Sequence, residues 1–277
     1  MKSFKLAGIP IKAYSVGGIE TCIHLPEHKL VFDIGKCPEH VVPRELIFLT
    51  HGHMDHMGGI AYHASTRALR NMRPATYVMP GLYLERAAAL LEAWRGLDHS
   101  EMPAQLVGLE PGERWELNDS YFVQPFSTYH SAPSQGYALW SKRRKLRPEF
   151  EGLRGEELRS LRKEGHRITD DLELPEVAFC GDTKIEVLER EEVVRKARLL
   201  MLECTFIDER ISPEEARSRG HVHLDEIAER AELFENQAIL LHHFSPRFSK
   251  AQIRAALQER LPESLQRRVT PLLAGFH

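Results

Sequence analysis

Apolar residues come in short bursts along this chain, and the period of the bursts changes repeatedly. Residues 19–34, IETCIHLPEHKLVFDI, hold two apolar runs around Pro-Glu-His-Lys, which predicts two strands ending at Asp33-Ile34-Gly35. Residues 46–50, LIFLT, predict a buried strand that stops at His51-Gly52-His53. Leucines and alanines at helical spacing predict helices over 60–70 and 81–96. TYVM at 76–79, the stretches of 104–126 around Glu110-Pro111-Gly112 and Asn118-Asp119, and GYALWS at 136–141 read as further strands. The highly charged segment 148–173 predicts a short helix plus a loop. Val177–Cys180 is a brief strand ending at Gly181-Asp182-Thr183, and 197–203 leads into Cys204-Thr205-Phe206. A helix over 223–236, a strand over 238–241 that ends at His242-His243, and a helix over 249–261 complete the pattern.

No repeat, low-complexity tract or linker interrupts this alternation. The expectation is one α/β domain over 1–277, built as two αβ halves packed face to face. Polar clusters follow apolar strands near 50, 129, 181 and 242, and strand-end loops are where αβ proteins place chemistry.

Composition narrows the function classes. With 37 basic and 40 acidic residues the net charge is -3, so the total shows no dominant grip on nucleic acid. The basic run Lys142–Lys145 with Arg147 is the local exception. Cys22, Cys37, Cys180 and Cys204 are widely spaced and form no CxxC pair, which argues against a thiolate zinc knuckle and fits a reducing cytoplasm. No apolar run reaches the roughly 18 residues needed to span a membrane, and the first residues are too polar for a signal peptide.

The 15 histidines matter through their placement. In Thr50-His51-Gly52-His53-Met54-Asp55-His56 a glycine separates two imidazoles that can share one metal ion, while Asp55 and His56 can face a second. Three histidines and an aspartate in six residues make a poor packing motif, since each needs its own polar partner when buried. His130 is the expected third ligand of the His51/His53 ion, Asp182 the bridge, and His243 the partner of Asp55 and His56. His242, one residue away on the same strand, would face the other way. Imidazole and carboxylate without thiolate suit zinc, with manganese or iron as alternatives. Two such ions would hold a hydroxide between them, and Asp55 could orient it. His221 is the candidate general acid, with His223 as its alternative, and Glu203 could orient His221.

The segment His51–His56 resembles the HxHxDH signature of the metallo-β-lactamase superfamily, and the order Asp33, His130, Asp182, His243 extends that resemblance along essentially the whole chain. It implies a four-layer αββα sandwich with the metals at its edge. Tyr129–Tyr137, Phe179–Thr183, Glu203-Cys204-Thr205-Phe206, Gly220-His221 and His243–Phe248 are more specifically similar to ribonuclease Z, the family that trims the 3′ end of precursor tRNA. That resemblance implies two zinc ions, a homodimer, His221 as proton donor and Glu203 as its partner. The chain departs from the family at Ile34-Gly35-Lys36-Cys37, at Val222-His223, and in having no long Gly- and Lys-rich insertion between Gly136 and Asp182.

The leading expectation is therefore a precursor-tRNA endonuclease. A hydrolase of small phosphodiesters such as cyclic nucleotides, or of another ester or thioester, would use the same dinuclear site. A metal-stabilised scaffold would have lost ligands, and none is missing.

Overall fold

The computed structural model describes residues 1–277. Seven strands form the first sheet in chain order: β1 (Lys2–Leu6), β2 (Ile9–Val16), β3 (Glu20–Leu25), β4 (Leu30–Phe32), β5 (Leu46–Phe48), β6 (Ala75–Met79) and β7 (Ala104–Gly108). Seven more form the second: β8 (Trp115–Asn118), β9 (Tyr121–Ser127), β10 (Gln135–Leu146), β11 (Thr169–Phe179), β12 (Leu199–Glu203), β13 (Ala238–His242) and β14 (Val269–Pro271). Each sheet begins with four antiparallel strands and ends with parallel ones, β4 to β7 and β11 to β14. Both halves thus repeat one topology, although no sequence repeat betrays it.

Strand alternation builds the layers. On β12, Leu199 and Met201 pack between the sheets, while Leu200 and Leu202 meet the helices behind. Phe32, Phe48, Tyr137 and Phe179 meet at the inter-sheet centre, ring centroids 5.1–6.1 Å apart. Each ring buried there contributes roughly 1.5–3 kcal/mol. Helices Ile60–Leu69 and Leu84–Asp98 cover the first sheet through Ile60, Ala64, Ala87 and Leu91. Helices Leu224–Glu229 and Lys250–Arg260 cover the second through Leu224, Ile227, Ile253 and Leu257. The result is the αββα sandwich expected from the sequence.

Two elements differ from the sequence reading. The strand expected over 136–141 continues through the basic run to Leu146 and pairs with Thr169–Leu174, part of the segment expected to be a loop. Beyond Ser141 and before Val177 these strands pair only with each other, so they form a two-stranded ribbon, and helix Gly155–Lys163 lies at its tip. Cross-strand pairs Lys142–Glu173, Arg144–Asp171 and Lys145–Asp170 set opposite charges side by side, which explains how so charged a stretch keeps strand geometry. The helix expected over 223–236 ends at Glu229, followed by a short 3-10 turn. Phe234 turns into the core there, and Arg268 takes the free carbonyls of Phe234 and Asn236.

Candidate metal centre

Three strands stop at the same edge of the sandwich on residues with left-handed backbone: Asp33 (φ 54°) after β4, Gly181 (φ 59°) after β11 and His243 (φ 60°) after β13. Each turns the chain sharply and aims its own or the next side chain at one spot. Parity on β13 sends His242 between the sheets, where it stacks on Phe179 with centroids 5.4 Å apart. The turn at His243 then brings the next ring to the edge. On β11 the turn needs glycine, since a Cβ at Gly181 would sit 2.8 Å from the Thr50 side chain.

All seven expected ligands converge here. Donor atoms of His51, His53, His130 and Asp182 lie within 4.8 Å of one another, and so do those of Asp55, His56 and His243. Asp182 also groups with His221 and His243, and so reaches from the first set toward the second. Its Oδ1 is 3.2 Å from His56 Nε2 and 3.3 Å from His243 Nε2, and its Oδ2 is 3.9 Å from His51 Nε2.

Acceptors behind the rings fix which nitrogen faces the centre. His56 Nδ1–H donates to Asp33 Oδ2 at 2.7 Å, and His130 Nδ1–H donates to the Gly220 carbonyl at 2.8 Å. His51 Nδ1–H donates to Thr50 Oγ1 at 3.0 Å, and that hydroxyl donates to Asp33. His243 Nδ1–H donates to Thr205 Oγ1 at 3.0 Å, and that hydroxyl donates to Glu203 Oε2 at 2.6 Å. These partners hold the proton on Nδ1 and point each Nε2 at the others.

Imidazole nitrogens gathered on a carboxylate need either protons or a metal cation among them, and against burial the carboxylates Asp182 and Asp33 raise His56 well above the ordinary histidine range for that reason. His51 Nε2 and Asp182 Oδ1 are buried with no hydrogen-bond partner at all. Burial and the imidazoles of His56, His130 and His53 push His51 well below the ordinary histidine range, and burial lowers His130 too, so both rings are neutral and able to ligate. Burial works against the Asp182 carboxylate, but His243 and His56 outweigh it and hold its pKa well below the usual value. Two divalent ions therefore fit the donor set: nitrogen and carboxylate oxygen, three side chains each, with one carboxylate shared.

Glu203 ends β12, fully buried, and organises the far side. Its Oε1 accepts from Thr183 N at 3.0 Å and His221 Nδ1 at 2.7 Å; its Oε2 accepts from Thr205 N at 3.2 Å and Thr205 Oγ1. His221 lies between His130 and His243, with ring centroids 5.0 and 5.4 Å away. Burial alone would lower its pKa, but the charge and hydrogen bond of Glu203 outweigh it and raise it to about 9. His223 is committed elsewhere: its Nδ1 accepts from Asp225 N and its Nε2–H donates to the Asp208 carbonyl.

This constellation occurs on a chain whose residues 34–244 match the family model described as Beta-lactamase superfamily domain. tRNase Z TRZ1 of Arabidopsis thaliana is 42% identical over 277 residues, covering 99% of both chains. The chain belongs to the tRNase Z family. The chloroplastic tRNase Z TRZ2 of the same plant is 38% identical, covering 99% of this chain and 78% of that one. The crystal structure of the short form of human tRNase Z superposes with a TM-score of 0.59 at 18% identity, over 86% of this chain and 93% of that one, which speaks to the fold.

Within the family frame, sequence reasoning missed the supports. In the sequence Asp33 stands only as a landmark before the motif, yet it holds His56 directly and His51 through Thr50. Thr205 joins Glu203 to His243. The backbone N–H of Gly18 donates to Asp55 Oδ2 at 2.9 Å. Asp33 at a strand end, and the threonines at 50, 183 and 205 that follow or end apolar strands, are the available signals. A cleft of about 290 Å³ opens beside His221 and His243, lined by Gly17, Gly18, Phe206, Arg219, Ser245 and Arg247 among others.

Proposed function

We propose that this chain is a metal-dependent endoribonuclease that removes the 3′ trailer of precursor tRNA. The observation that carries the reading is the Glu203–His221 pair at 2.7 Å, set against the metal ligands, because a phosphodiester hydrolase with an alkoxide leaving group needs such an acid. His51, His53 and His130 would hold one ion, Asp55, His56 and His243 the other, and Asp182 both, with zinc the first choice and manganese or iron the alternatives. Such ions, when bound, acidify water and neutralise charge on a phosphoryl group. Asp55, its Oδ2 fixed by Gly18 N–H, orients the attacking oxygen. Glu203 keeps His221 protonated and its other nitrogen free, so that Nε2–H donates to the departing 3′ oxygen. Arg247 and Ser245, in the cleft beside them, bind non-bridging phosphate oxygens.

The catalytic unit is taken to be the whole of 1–277, acting as a homodimer. Leu90, Trp94 and Leu97 are exposed at i, i+4 and i+7 on helix Leu84–Asp98, and Tyr62 is exposed on helix Ile60–Leu69, tied to the first by Ser65–Asp98 at 3.3 Å. A stripe of this kind on neighbouring helices suits burial against a second copy. All four cysteines are free and buried, which favours the cytoplasm as the compartment. No helix is long and apolar enough to cross a membrane.

The ribbon supports a second reading. Its basic residues are matched across the strands by acids, which weakens it as an RNA grip and leaves a small phosphodiester as the alternative substrate. Cleavage of precursor tRNA is compared with that of a bis-aryl phosphodiester. Discrete release of the trailer carries the first reading. Turnover of the small ester with intact precursor tRNA refutes it.

A further inference from the structure

The outer face of the first sheet carries a second group of ionisable side chains, apart from the metal centre. His24, on β3, is 4% exposed, and neither ring nitrogen has a hydrogen-bond partner. Its ring centroid lies 5.7 Å from that of His40, in the turn Glu39–Val41. His40 Nε2 and Arg44 Nε are buried without partners too. Lys12 stands directly opposite His24 in the β2–β3 register.

Another buried histidine under the same helical layer shows what satisfaction looks like. His63 hydrogen-bonds Tyr77 Oη at 2.7 Å through Nδ1 and the Val41 carbonyl at 3.3 Å through Nε2. Buried polar groups are nearly always paired in this way. At His24 several unpaired nitrogens gather instead, and the charges acting on the ring come from Arg44, His40 and Lys12, all of them cationic or able to become so. Two imidazoles alone could attract a divalent cation, but an arginine and a lysine beside them repel one, and no carboxylate completes a ligand set.

We propose that Lys12, His24, His40 and Arg44 form a binding site for a tetrahedral oxyanion of the phosphate type, separate from the metal centre. The two imidazole N–H groups, Arg44 Nε–H and the Lys12 ammonium supply donors to an ion that has only acceptors. His40 and Arg44 lie on the segment that leaves β4 after Asp33, the residue that holds His56. A bound anion would therefore brace the loop on which the metal centre leans. The same phosphate chemistry can come from the free ion or from an RNA backbone.

The test uses the full chain loaded with zinc, at ionic strength held constant with chloride. Inorganic phosphate is titrated while the side-chain nitrogen resonances of His24 and His40 are followed, each assigned by its loss in H24N or H40Q. Thermal unfolding is recorded in parallel for wild type, R44Q and H40A, which carry substitutions outside the metal centre. The expected result is a saturable shift of both rings and a matching rise in Tm. R44Q should weaken half-saturation by about tenfold or more, the loss of one charge-assisted hydrogen bond, while bis-aryl phosphodiester cleavage without phosphate stays unchanged. A short single-stranded RNA forms the second arm. Movement of the His24 resonances by RNA assigns the source to the backbone, and movement by phosphate alone assigns it to the free ion. Resonances that ignore both overturn the site. So does an equal Tm rise in wild type, R44Q and H40A, which would place the phosphate at the metals only. A response of both rings to added zinc and not to phosphate would make it a cation site and overturn the proposal as well.

Discussion

Replacing Glu203 by glutamine separates proton donation from metal binding. The carboxylate accepts four hydrogen bonds, from Thr183 N, Thr205 N, Thr205 Oγ1 and His221 Nδ1, and glutamine has the same shape with one acceptor oxygen. The amide must therefore set a donor against some of these donors, and the charge that sustains the His221 imidazolium is gone. Burial, the opposing influence, then pulls the His221 pKa down, with only Asp182 left to raise it. A general acid works below its pKa, so the alkaline limb of the rate profile should move to lower pH in the variant. At pH 7.5 the loss on precursor tRNA should be about 10²–10⁴-fold. A bis-aryl phosphodiester, whose leaving group departs as a stable phenolate, should lose far less. The assay is a pair of pH–rate profiles for E203Q and wild type on both substrates, with bound metal quantified in each sample. Equal losses on both substrates at unchanged metal content would refute the role of Glu203 as the support of an acid.

Three further outcomes follow from the same geometry. Asp33→Asn leaves His56 without its carboxylate acceptor, and should weaken metal binding by about 10–100-fold, read by competition with a chromophoric chelator. Gly181→Ala forces a Cβ to 2.8 Å from Thr50 at a positive φ, and should cost roughly 1–3 kcal/mol of stability in urea unfolding, whereas Gly152→Ala, with open space around it, should be milder. Burial lowers His63 to about 4, so the folded chain binds fewer protons there than the unfolded chain between pH 6.5 and 4. Its contribution is full above 6.5 and is lost as pH falls toward 4, by roughly 2 kcal/mol at pH 5; in H63Q the drop in stability from pH 7.5 to 5 should shrink by that amount.

Much of the molecule was legible because its determinants are local. Strands such as Leu46–Phe48 and Ala238–Leu241 of β13 are unbroken apolar runs, and the candidate ligands sit where those runs stop. His51, His53, Asp55 and His56 are close enough in sequence to be read as one object, and His130, Asp182 and His243 each follow a strand. The supports were harder to see because they act across long sequence distances. Asp33 reaches His56 only after the parallel pairing of β4 with β5, and Thr205 meets His243 only because β12 and β13 are neighbours. The ribbon was missed because lysines and arginines on a strand hide its apolar alternation. Only the cross-strand register shows that the acids of 170–173 answer them.

The repeated topology of the two sheets has a consequence for how the protein holds together. His51, His53, Asp55 and His56 come from the first sheet's half, and His130, Asp182 and His243 from the second. Every ion placed in this centre is then a rivet through a seam, with ligands on both sides of it. Metal content and cohesion of the halves become one variable: stripping the ions should let the edges part locally before either half melts, and any force that shears the sheets should empty the site first. A chain cut in the turn at 110–113 would be two incomplete pieces that a divalent cation helps to rejoin, so that catalytic competence would report their reunion.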